Sequence, residues 1–345
     1  MLKNLLVIFL FIPLSLVAKD YSSLYNKLDK SVVIIYSDTQ EVRAEANQLV
    51  TKTASSLGTG TLINKEGLIL TAAHVVNSAD ELTVNVKNRG EYKAKVIASF
   101  QAADIALIKL ITNSKNFPFV KLGDSEKAKI GNEVFVIGTP YGLEHTLTVG
   151  HLSGRRIHQH PSFNKIEFIQ TDAAMNQGNS GGPLFLASGE LIGVVSYIQS
   201  QSGGNEGLGF AASTAMVKNI LIDQPMVWFG IEYSFLTPVM AAALNVPQRA
   251  GLLIEKVATQ SFAEKLGLKG GVIPADIDDT PVILGGDVIL AIGPHILSGE
   301  EQNYLNILKY IKSLKGGEKI KFKVLRMGLE LELEAELPNV KIKLL

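Results

Sequence analysis

Short apolar runs, several of them alternating with polar residues, follow one another from Ser31 to Ala212. In the stretch Leu82 to Val86 every second side chain is apolar, which is the period of a strand with one buried face. Polar and glycine-containing segments separate the runs, and this spacing is typical of an all-β barrel or sandwich. The predicted strands are Val32 to Tyr36, Thr59 to Ile63, Leu82 to Val86, Lys93 to Ala98, Ile105 to Leu110, Glu133 to Ile137, Leu191 to Tyr197 and Leu208 to Ala211.

A helical period replaces this pattern after Ser213. Ser213 can cap a helix that has apolar residues at helical spacing as far as Leu221 and ends near Pro225. We expect the domain boundary there, with one domain over residues 19–223 and a second, α+β domain over residues 226–338. The second domain contains two predicted helices, from Ser261 to Leu266 and from Glu300 to Leu314.

The first 18 residues resemble a secretory signal peptide. Lys3 supplies the positive charge, Leu5 to Leu14 the apolar core, and Val17-Ala18 a cleavage boundary. An uncleaved membrane anchor is the alternative. The apolar stretch from Leu5 to Ala18, however, has 14 residues and contains Pro13, whereas a spanning helix needs about 20. We therefore predict a signal peptide over residues 1–18, followed by export.

Charge and composition exclude several classes of function. The chain of 345 residues has 33 basic and 33 acidic side chains, and the resulting net charge of zero does not indicate a nucleic-acid partner. It has no cysteine, so its stability must come from core packing. His158 and His160, with His145 and His151 nearby, could ligate a metal, but no H-E-x-x-H motif or carboxylate-rich segment accompanies them. We expect neither a metal nor another cofactor.

The segment Gly178 to Leu184 places a serine between glycines, ahead of an apolar strand. A turn between two strands would explain it. Together with His74 and Asp104, however, Ser180 completes a nucleophilic triad in the chain order of chymotrypsin-type enzymes. Ser180 would attack a carbonyl, His74 would act as general base and then acid, and Asp104 would orient the imidazole. The oxyanion hole would be formed by Gly178, Asn179 and Ser180, chiefly by the N–H groups of Gly178 and Ser180.

These motifs, with Gln170 to Ala174 ahead of the serine loop, resemble the HtrA/Deg family of bacterial serine endopeptidases over residues 31–338. The resemblance implies a mainly β protein with a chymotrypsin-like double β-barrel protease domain, followed by an α+β PDZ domain. His74 and Asp104 would then come from the first barrel and Ser180 from the second. It also implies a periplasmic location and a homotrimer or a higher assembly of trimers.

The segment Trp228 to Ile231 resembles the carboxylate-binding loop of a PDZ domain. In that reading a peptide C-terminus adds a strand beside Ile231, and its carboxylate meets the N–H groups of Phe229, Gly230 and Ile231. One departure from the simplest PDZ sequences is an insertion at residues 269–285. It could shade the groove or contact the protease domain.

The specificity pocket is expected beside the nucleophile. The position six residues ahead of Ser180 is Ala174 rather than an acid, which disfavours cleavage after Arg or Lys. Met175, Phe210 and Ala211 suggest an apolar pocket for small or medium side chains.

Three functions follow from these patterns. The first is an exported, ATP-independent endopeptidase that cleaves unfolded or mislocalised proteins in envelope quality control. The second is a signalling protease that cuts one regulatory substrate when a peptide occupies the PDZ domain. The third is a chaperone or peptide-binding scaffold with an idle protease site. The complete triad argues against the third.

Overall fold

The computed structural model describes residues 19–345 except 46–47, 161–162, 226, 278, 343 and 345. The predicted signal peptide, residues 1–18, lies outside the described residues. Within the described residues, no helix has the length and apolar character required to cross a membrane.

The first six strands close into a barrel, in the order β1-β2-β3-β6-β5-β4. Alternate residues point inward, and Val33, Ile35 and Ile69 are fully buried in its interior. β1 and β2 extend beyond the barrel as a long antiparallel hairpin. The strands are β1 (Val32–Glu45), β2 (Gln48–Leu62), β3 (Leu68–Thr71), β4 (Glu81–Val86), β5 (Gly90–Phe100) and β6 (Ile105–Leu110).

The next six strands close into a second barrel, in the order β10-β11-β12-β9-β8-β7. Val134, Leu184 and Ile192 are fully buried inside it. The strands are β7 (Glu133–Gly138), β8 (Thr146–His160), β9 (Asn164–Thr171), β10 (Pro183–Leu186), β11 (Leu191–Ile198) and β12 (Gly209–Ser213). Two closed six-stranded barrels in a mainly β chain confirm the predicted fold class of the first domain.

A shared core joins the barrels. It contains Leu70 and Leu107 of the first barrel and Phe135 of the second, together with Leu28 of the N-terminal helix α1 (Ser22–Leu28). A 3₁₀ turn, Asp29–Ser31, leads from α1 into β1. The N-terminal segment therefore packs against both barrels.

Two short helices follow strands of the barrels. Helix α2 (Ala73–Val76) comes after β3, and helix α3 (Thr214–Val217) comes after β12. The Ser213 side chain accepts a hydrogen bond from the N–H of Met216, which confirms the predicted cap. The α-helix is shorter than predicted, because a π-helical turn, Lys218–Ile222, continues it.

The C-terminal residues form a separate sheet in the order β13-β14-β17-β19-β20, and β18 pairs with β17. Helices α5 and α6 lie close to the predicted bounds, and Ser261 caps α5. The elements are β13 (Ile231–Leu236), α4 (Pro238–Ala243), β14 (Gly251–Val257), α5 (Phe262–Leu266), β15 (Ile273–Ile277), β16 (Thr280–Leu284), β17 (Val288–Ile292), β18 (His295–Ile296), α6 (Glu301–Ser313), β19 (Lys319–Arg326) and β20 (Leu329–Glu336).

The insertion at residues 269–285 contains the two-stranded sheet β15–β16. β15 lies beside β1 of the first barrel. Gly270, Gly271 and Ile283 share a cavity with Thr39 to Val42 of that strand. The sequence left open whether the insertion shades the peptide groove or contacts the protease domain; in the structure it contacts the first barrel of the protease domain.

Candidate active site

The three predicted catalytic residues lie at the ends of regular elements. His74 is in helix α2, directly after β3, and Asp104 stands between a 3₁₀ turn (Gln101–Ala103) and β6. Both belong to the first barrel. Ser180 lies in the loop between β9 and β10 of the second barrel, where its carbonyl accepts a hydrogen bond from the N–H of Thr59 at 2.8 Å. This bond joins the serine loop to the first barrel.

His74 and Asp104 are in direct contact. Nδ1 of His74 lies 2.8 Å and 2.9 Å from the two carboxylate oxygens of Asp104, and the His74 N–H donates to the same carboxylate at 3.0 Å. Because an ionised carboxylate only accepts, Nδ1 carries the hydrogen and Nε2 is left to accept a proton. The hydrogen bond to Asp104 raises the pKa of His74 above its usual value of 6.5.

Ser196 is a residue of this site that the sequence did not reveal. It is buried in β11, and its hydroxyl donates to Oδ2 of Asp104 from the second barrel. Asp104 itself adopts a left-handed conformation with φ of +50°, which aspartate tolerates better than most residues. The one hint in the sequence was a serine inside the apolar run Gly193 to Tyr197, where a polar side chain needs a hydrogen-bond partner.

The Ser180 hydroxyl donates to the Ser196 carbonyl at 3.4 Å. Within the described residues the structure has no hydrogen bond between Ser180 and His74. The 3.4 Å bond is long for a hydroxyl donor, so rotation about the Ser180 side chain costs little. A series of contacts through Asp104 and Ser196 connects His74 with Ser180.

The loop that contains Ser180 has two backbone N–H groups without an acceptor among the described residues. The Gln177 carbonyl accepts from the N–H of Tyr141 at 2.8 Å. In a trans peptide the next N–H, that of Gly178, must point the opposite way. Within the described residues neither this N–H nor that of Ser180 has an acceptor, whereas the N–H of Asn179 donates to the Asn176 carbonyl at 3.0 Å. Of the three predicted donors, Gly178 and Ser180 are therefore available to an oxyanion.

The predicted specificity residues lie around the second barrel. Met175 and Ala211 are buried in the core of this barrel, and the Met175 sulfur would lie 2.7 Å from a Cβ placed on Gly209. Phe210 belongs to the core shared by the barrels and stacks on Tyr197. Ala174 is half-buried. The Met175 side chain thus occupies the space beside Gly209 of β12.

The loop between β11 and β12 is organised by one carboxylate, that of Glu206. Glu206 accepts hydrogen bonds from the hydroxyl and N–H of Ser202, and these bonds lower the pKa of Glu206 to about 2. This loop also contacts the loop that carries Ser180, because the N–H of Asn205 donates to Oδ1 of Asn176 at 3.1 Å.

A second candidate site is a cavity of about 280 Å³ in the C-terminal domain, between β13 and α6. It is lined by Phe229, Gly230 and Ile231, by side chains of α6, and by Phe100 and Gln101 of the first barrel. β13 is an edge strand of its sheet. The carbonyls of Phe229 and Gly230 accept from Ala263 and Ala258, while their N–H groups have no acceptor within the described residues.

The residues that could bind a metal are scattered. Within the described part of the chain, no three histidine or acidic side chains are grouped as metal ligands would be. His160 instead packs edge-on against Phe100, with ring centroids 5.3 Å apart. His151 lies beside Asp172, half-exposed on the second barrel.

Two six-stranded barrels, with a His–Asp pair on the first and a serine loop on the second, define the class of trypsin-like peptidases. The family model described as a trypsin-like peptidase domain matches residues 58–194, a range that contains all three residues. Relatives carry the name "Probable periplasmic serine endoprotease DegP-like". The one from Pseudomonas putida (strain GB-1) is 37% identical over 283 residues, which cover 80% of this chain and 54% of the relative. The one from Pseudomonas fulva (strain 12-X) is 35% identical over 298 residues, covering 84% of this chain and 57% of the relative.

Solved structures give a fuller match. The structure titled "HtrA-type protease AlgWS227A with decapeptide" superimposes with a TM-score of 0.55 at 30% identity, covering 93% of this chain and 97% of that one. "HtrA-type protease AlgW with tripeptide" gives 0.52 at 31% identity with the same coverage. The chain belongs to the HtrA family of serine proteases. It spans about half the length of the DegP-like relatives that it matches.

Proposed function

We propose that this chain is an exported serine endopeptidase that cleaves unfolded or mislocalised proteins in the bacterial periplasm. The observation that carries the proposal is the His74–Asp104 pair in the first barrel, facing a serine loop of the second barrel with two unpaired N–H groups. A base, an orienting acid, a nucleophile and an oxyanion site are the parts that acyl transfer requires.

In the proposed mechanism a substrate carbonyl lies against the N–H groups of Gly178 and Ser180. Ser180 turns from the Ser196 carbonyl towards Nε2 of His74, which takes its proton as Oγ attacks. Such bonds are commonly long without substrate and shorten in the complex. The negative oxygen is stabilised by the two N–H groups, and the imidazolium by Asp104. His74 then protonates the leaving amine, and water hydrolyses the acyl-enzyme by the reverse transfers.

The proposed substrate preference is for a small or medium apolar residue before the cleaved bond. Ala174 offers no carboxylate that could pair with a buried lysine or arginine. Met175, Phe210 and Ala211 are apolar and buried beside this position, and Met175 fills the space next to Gly209 of β12, so the proposed pocket is shallow. Side chains of this kind are buried in folded proteins and accessible in unfolded ones.

The proposed domain organisation is a signal peptide over residues 1–18, a protease domain over 19–223 and a PDZ domain over 226–338. The PDZ domain would bind a peptide C-terminus in the cavity beside β13, with the carboxylate on Phe229, Gly230 and Ile231. The edge position of β13 and the two unpaired N–H groups support this. A homotrimer or an assembly of trimers is the proposed quaternary structure.

A second candidate function is a signalling protease that a C-terminal peptide activates. It is favoured by the position of the cavity, because Phe100 and Gln101, just ahead of Asp104 in the chain, contribute to its lining. An apolar C-terminal peptide should then accelerate cleavage of a short substrate that cannot itself reach the groove. If the peptide accelerates only protein substrates, recruitment is the better account.

The test of the endopeptidase function is casein cleavage by the full chain and its Ser180→Ala variant. We expect cleavage by the parent and none by the variant, with the assembly unchanged in size by sedimentation. Ser188→Ala is the matched control, because Ser188 is an exposed serine of the same barrel and should be dispensable. Equal turnover by parent and Ser180→Ala would refute the proposal.

A further inference from the structure

A buried carboxylate outside the triad links three parts of the protease fold. Asp29, which follows helix α1, contacts Nδ1 of His145 with one oxygen and Nζ of Lys87 with the other. The side chain of Asp29 is 4% exposed and that of His145 10%. Lys87 lies between β4 and β5 of the first barrel, and His145 directly precedes β8 of the second.

The carboxylate of Asp29 has a charged partner in Lys87 and a hydrogen-bond partner in His145. Lys87 neutralises the carboxylate, and the hydrogen bond to Asp29 raises the pKa of Lys87. Nδ1–H of His145 donates to this carboxylate, because an ionised carboxylate only accepts. Burying such a pair is costly unless its hydrogen bonds are satisfied, so the cluster is expected to keep one geometry.

His145 is also held through its backbone. Its carbonyl accepts a hydrogen bond from the Tyr25 hydroxyl of α1 at 2.8 Å. Its φ is +56°, in the left-handed region, which histidine adopts more readily than most residues but which still costs energy. Contacts at both ends of the residue thus hold a conformation that the chain alone would disfavour.

The segment that His145 terminates touches the predicted oxyanion hole. It begins at Thr139, and the N–H of Tyr141 within it donates to the Gln177 carbonyl. A Cβ on Gly178 would lie 2.2 Å from the Thr139 carbonyl oxygen, so the two backbones are in close contact. If this segment moved, the Gln177–Gly178 peptide would lose the partner that keeps the Gly178 N–H directed away from Tyr141.

We propose that His145, held by Asp29, is a positioning residue for the oxyanion hole. It anchors residues 139–145 to the N-terminal helix, and this segment sets the orientation of the Gly178 N–H. The inference rests on the proposed endopeptidase function and assigns a part of its machinery outside the triad. It predicts an effect on the transition state, because the Gly178 N–H meets the negative oxygen that develops there.

The experiment compares His145→Gly with His145→Asn in the full chain. Glycine removes the imidazole and tolerates the positive φ, whereas asparagine also tolerates it and restores a side-chain N–H donor. Loss of one oxyanion donor costs about 10²–10³ in kcat. Because the donor here is displaced rather than deleted, we expect His145→Gly to lower kcat about 10- to 100-fold with KM unchanged.

Two further readouts separate positioning from a general loss of structure. Affinity for a peptide boronate, which forms a tetrahedral adduct with the serine, should fall in parallel with kcat. His145→Asn should recover most of both losses. Asp29→Asn, which keeps the side-chain shape, should lower kcat in the same way. The matched control is His151→Gln, which removes a histidine from an exposed carboxylate of the same barrel and should leave kcat unchanged.

All variants are assayed at a temperature at which circular dichroism shows them folded. A folded His145→Gly or Asp29→Asn protein with the parent kcat would overturn the inference, as would an equal fall in His151→Gln. A parent protein that neither cleaves peptide nor binds the boronate would refute the endopeptidase function itself. The two failures are therefore distinguishable.

Discussion

Asp104 accepts hydrogen bonds from the His74 ring, the His74 backbone and the Ser196 hydroxyl. Because these donors fix the orientation of the carboxylate, Asp104 can hold the imidazole in one tautomer and stabilise it when it is protonated. Donors from both barrels meet at this carboxylate. At the scale of residues, therefore, the packing of the barrels and the chemistry of the site depend on the same contacts.

The raised pKa of His74 predicts the pH dependence of the reaction. His74 must be neutral to act as base, so kcat/KM should rise with pH through a midpoint above 6.5, the usual value for histidine. Because the pKa is raised in the folded state, the protonated pair contributes stability that is full below pH 6.5 and lost as pH rises through the folded pKa. Asp104→Asn should shift the kinetic midpoint downward. A midpoint below 6.5 in the parent would contradict this assignment.

The sequence predicted the residues that need a distinctive chemical group, and it missed those that act through the backbone or through a common hydroxyl. His74 and Asp104 are 30 residues apart in the chain, and the structure brings them together as expected. Tyr141 contributes its N–H, which any residue except proline possesses. Ser196 contributes a hydroxyl that no motif distinguishes from those of other serines.

Among the elements, the loop between β9 and β10 is held partly by the first barrel. The Thr59 hydroxyl donates to the Gly178 carbonyl at 2.7 Å, and the Thr59 N–H to that of Ser180. Both donors come from the other barrel. Small movements between the barrels are therefore transmitted to the oxyanion site.

Replacement of Gly178 tests this packing. Gly178→Ala adds a Cβ that would lie 2.2 Å from the Thr139 carbonyl oxygen, at a φ of +101°. Gly131→Ala has a similar φ of +89° with open space around it, so it carries the backbone strain alone. That strain costs about 1–2 kcal/mol. We expect Gly131→Ala to lose this much stability in urea titration and Gly178→Ala to lose more because of the added clash, and only Gly178→Ala to lose peptidase activity as well.

If Gly131→Ala lost activity to the same degree, the effect would be general destabilisation. If Gly178→Ala retained activity, the close contact with Thr139 would not matter for the hole.

The sequence predicted which elements exist better than how far they extend. β6 has the predicted bounds, because its apolar run is buried from end to end. β1 was predicted to end at Tyr36 and continues to Glu45, because it pairs with β2 outside the barrel. None of the side chains from Asp38 to Arg43 is buried, so this part of the hairpin leaves no periodic apolar pattern. Pairing between distant strands is a property of the fold, which a local pattern does not contain.

For the whole molecule, the decisive contact is the one between the C-terminal sheet and the first barrel. Lys256 of β14 donates to the Ser78 carbonyl at 2.6 Å and pairs with Asp80 at 3.1 Å. Nε1 of Trp228 donates to the Asn77 carbonyl at 3.2 Å. These partners directly follow helix α2, which carries His74.

Trp228 is the single tryptophan of the chain and is 9% exposed, so its fluorescence reports on this contact. Lys256→Gln removes the ion pair with Asp80 and should shift the emission to longer wavelength and increase quenching by acrylamide. Lys319→Gln, which removes an exposed pair with Glu334 in the same sheet, is the control and should change neither. Unchanged emission in Lys256→Gln would show that this ion pair does not hold the contact closed.

The central claim is that this two-barrel molecule directs its chemistry through Ser180. The most direct measurement is the site of modification by a fluorophosphonate, determined by mass spectrometry of peptides from the full chain. We predict one adduct, on Ser180, formed faster at pH 8 than at pH 6 and absent in His74→Ala. Modification of another serine at the same rate, or no adduct on Ser180, would contradict the account.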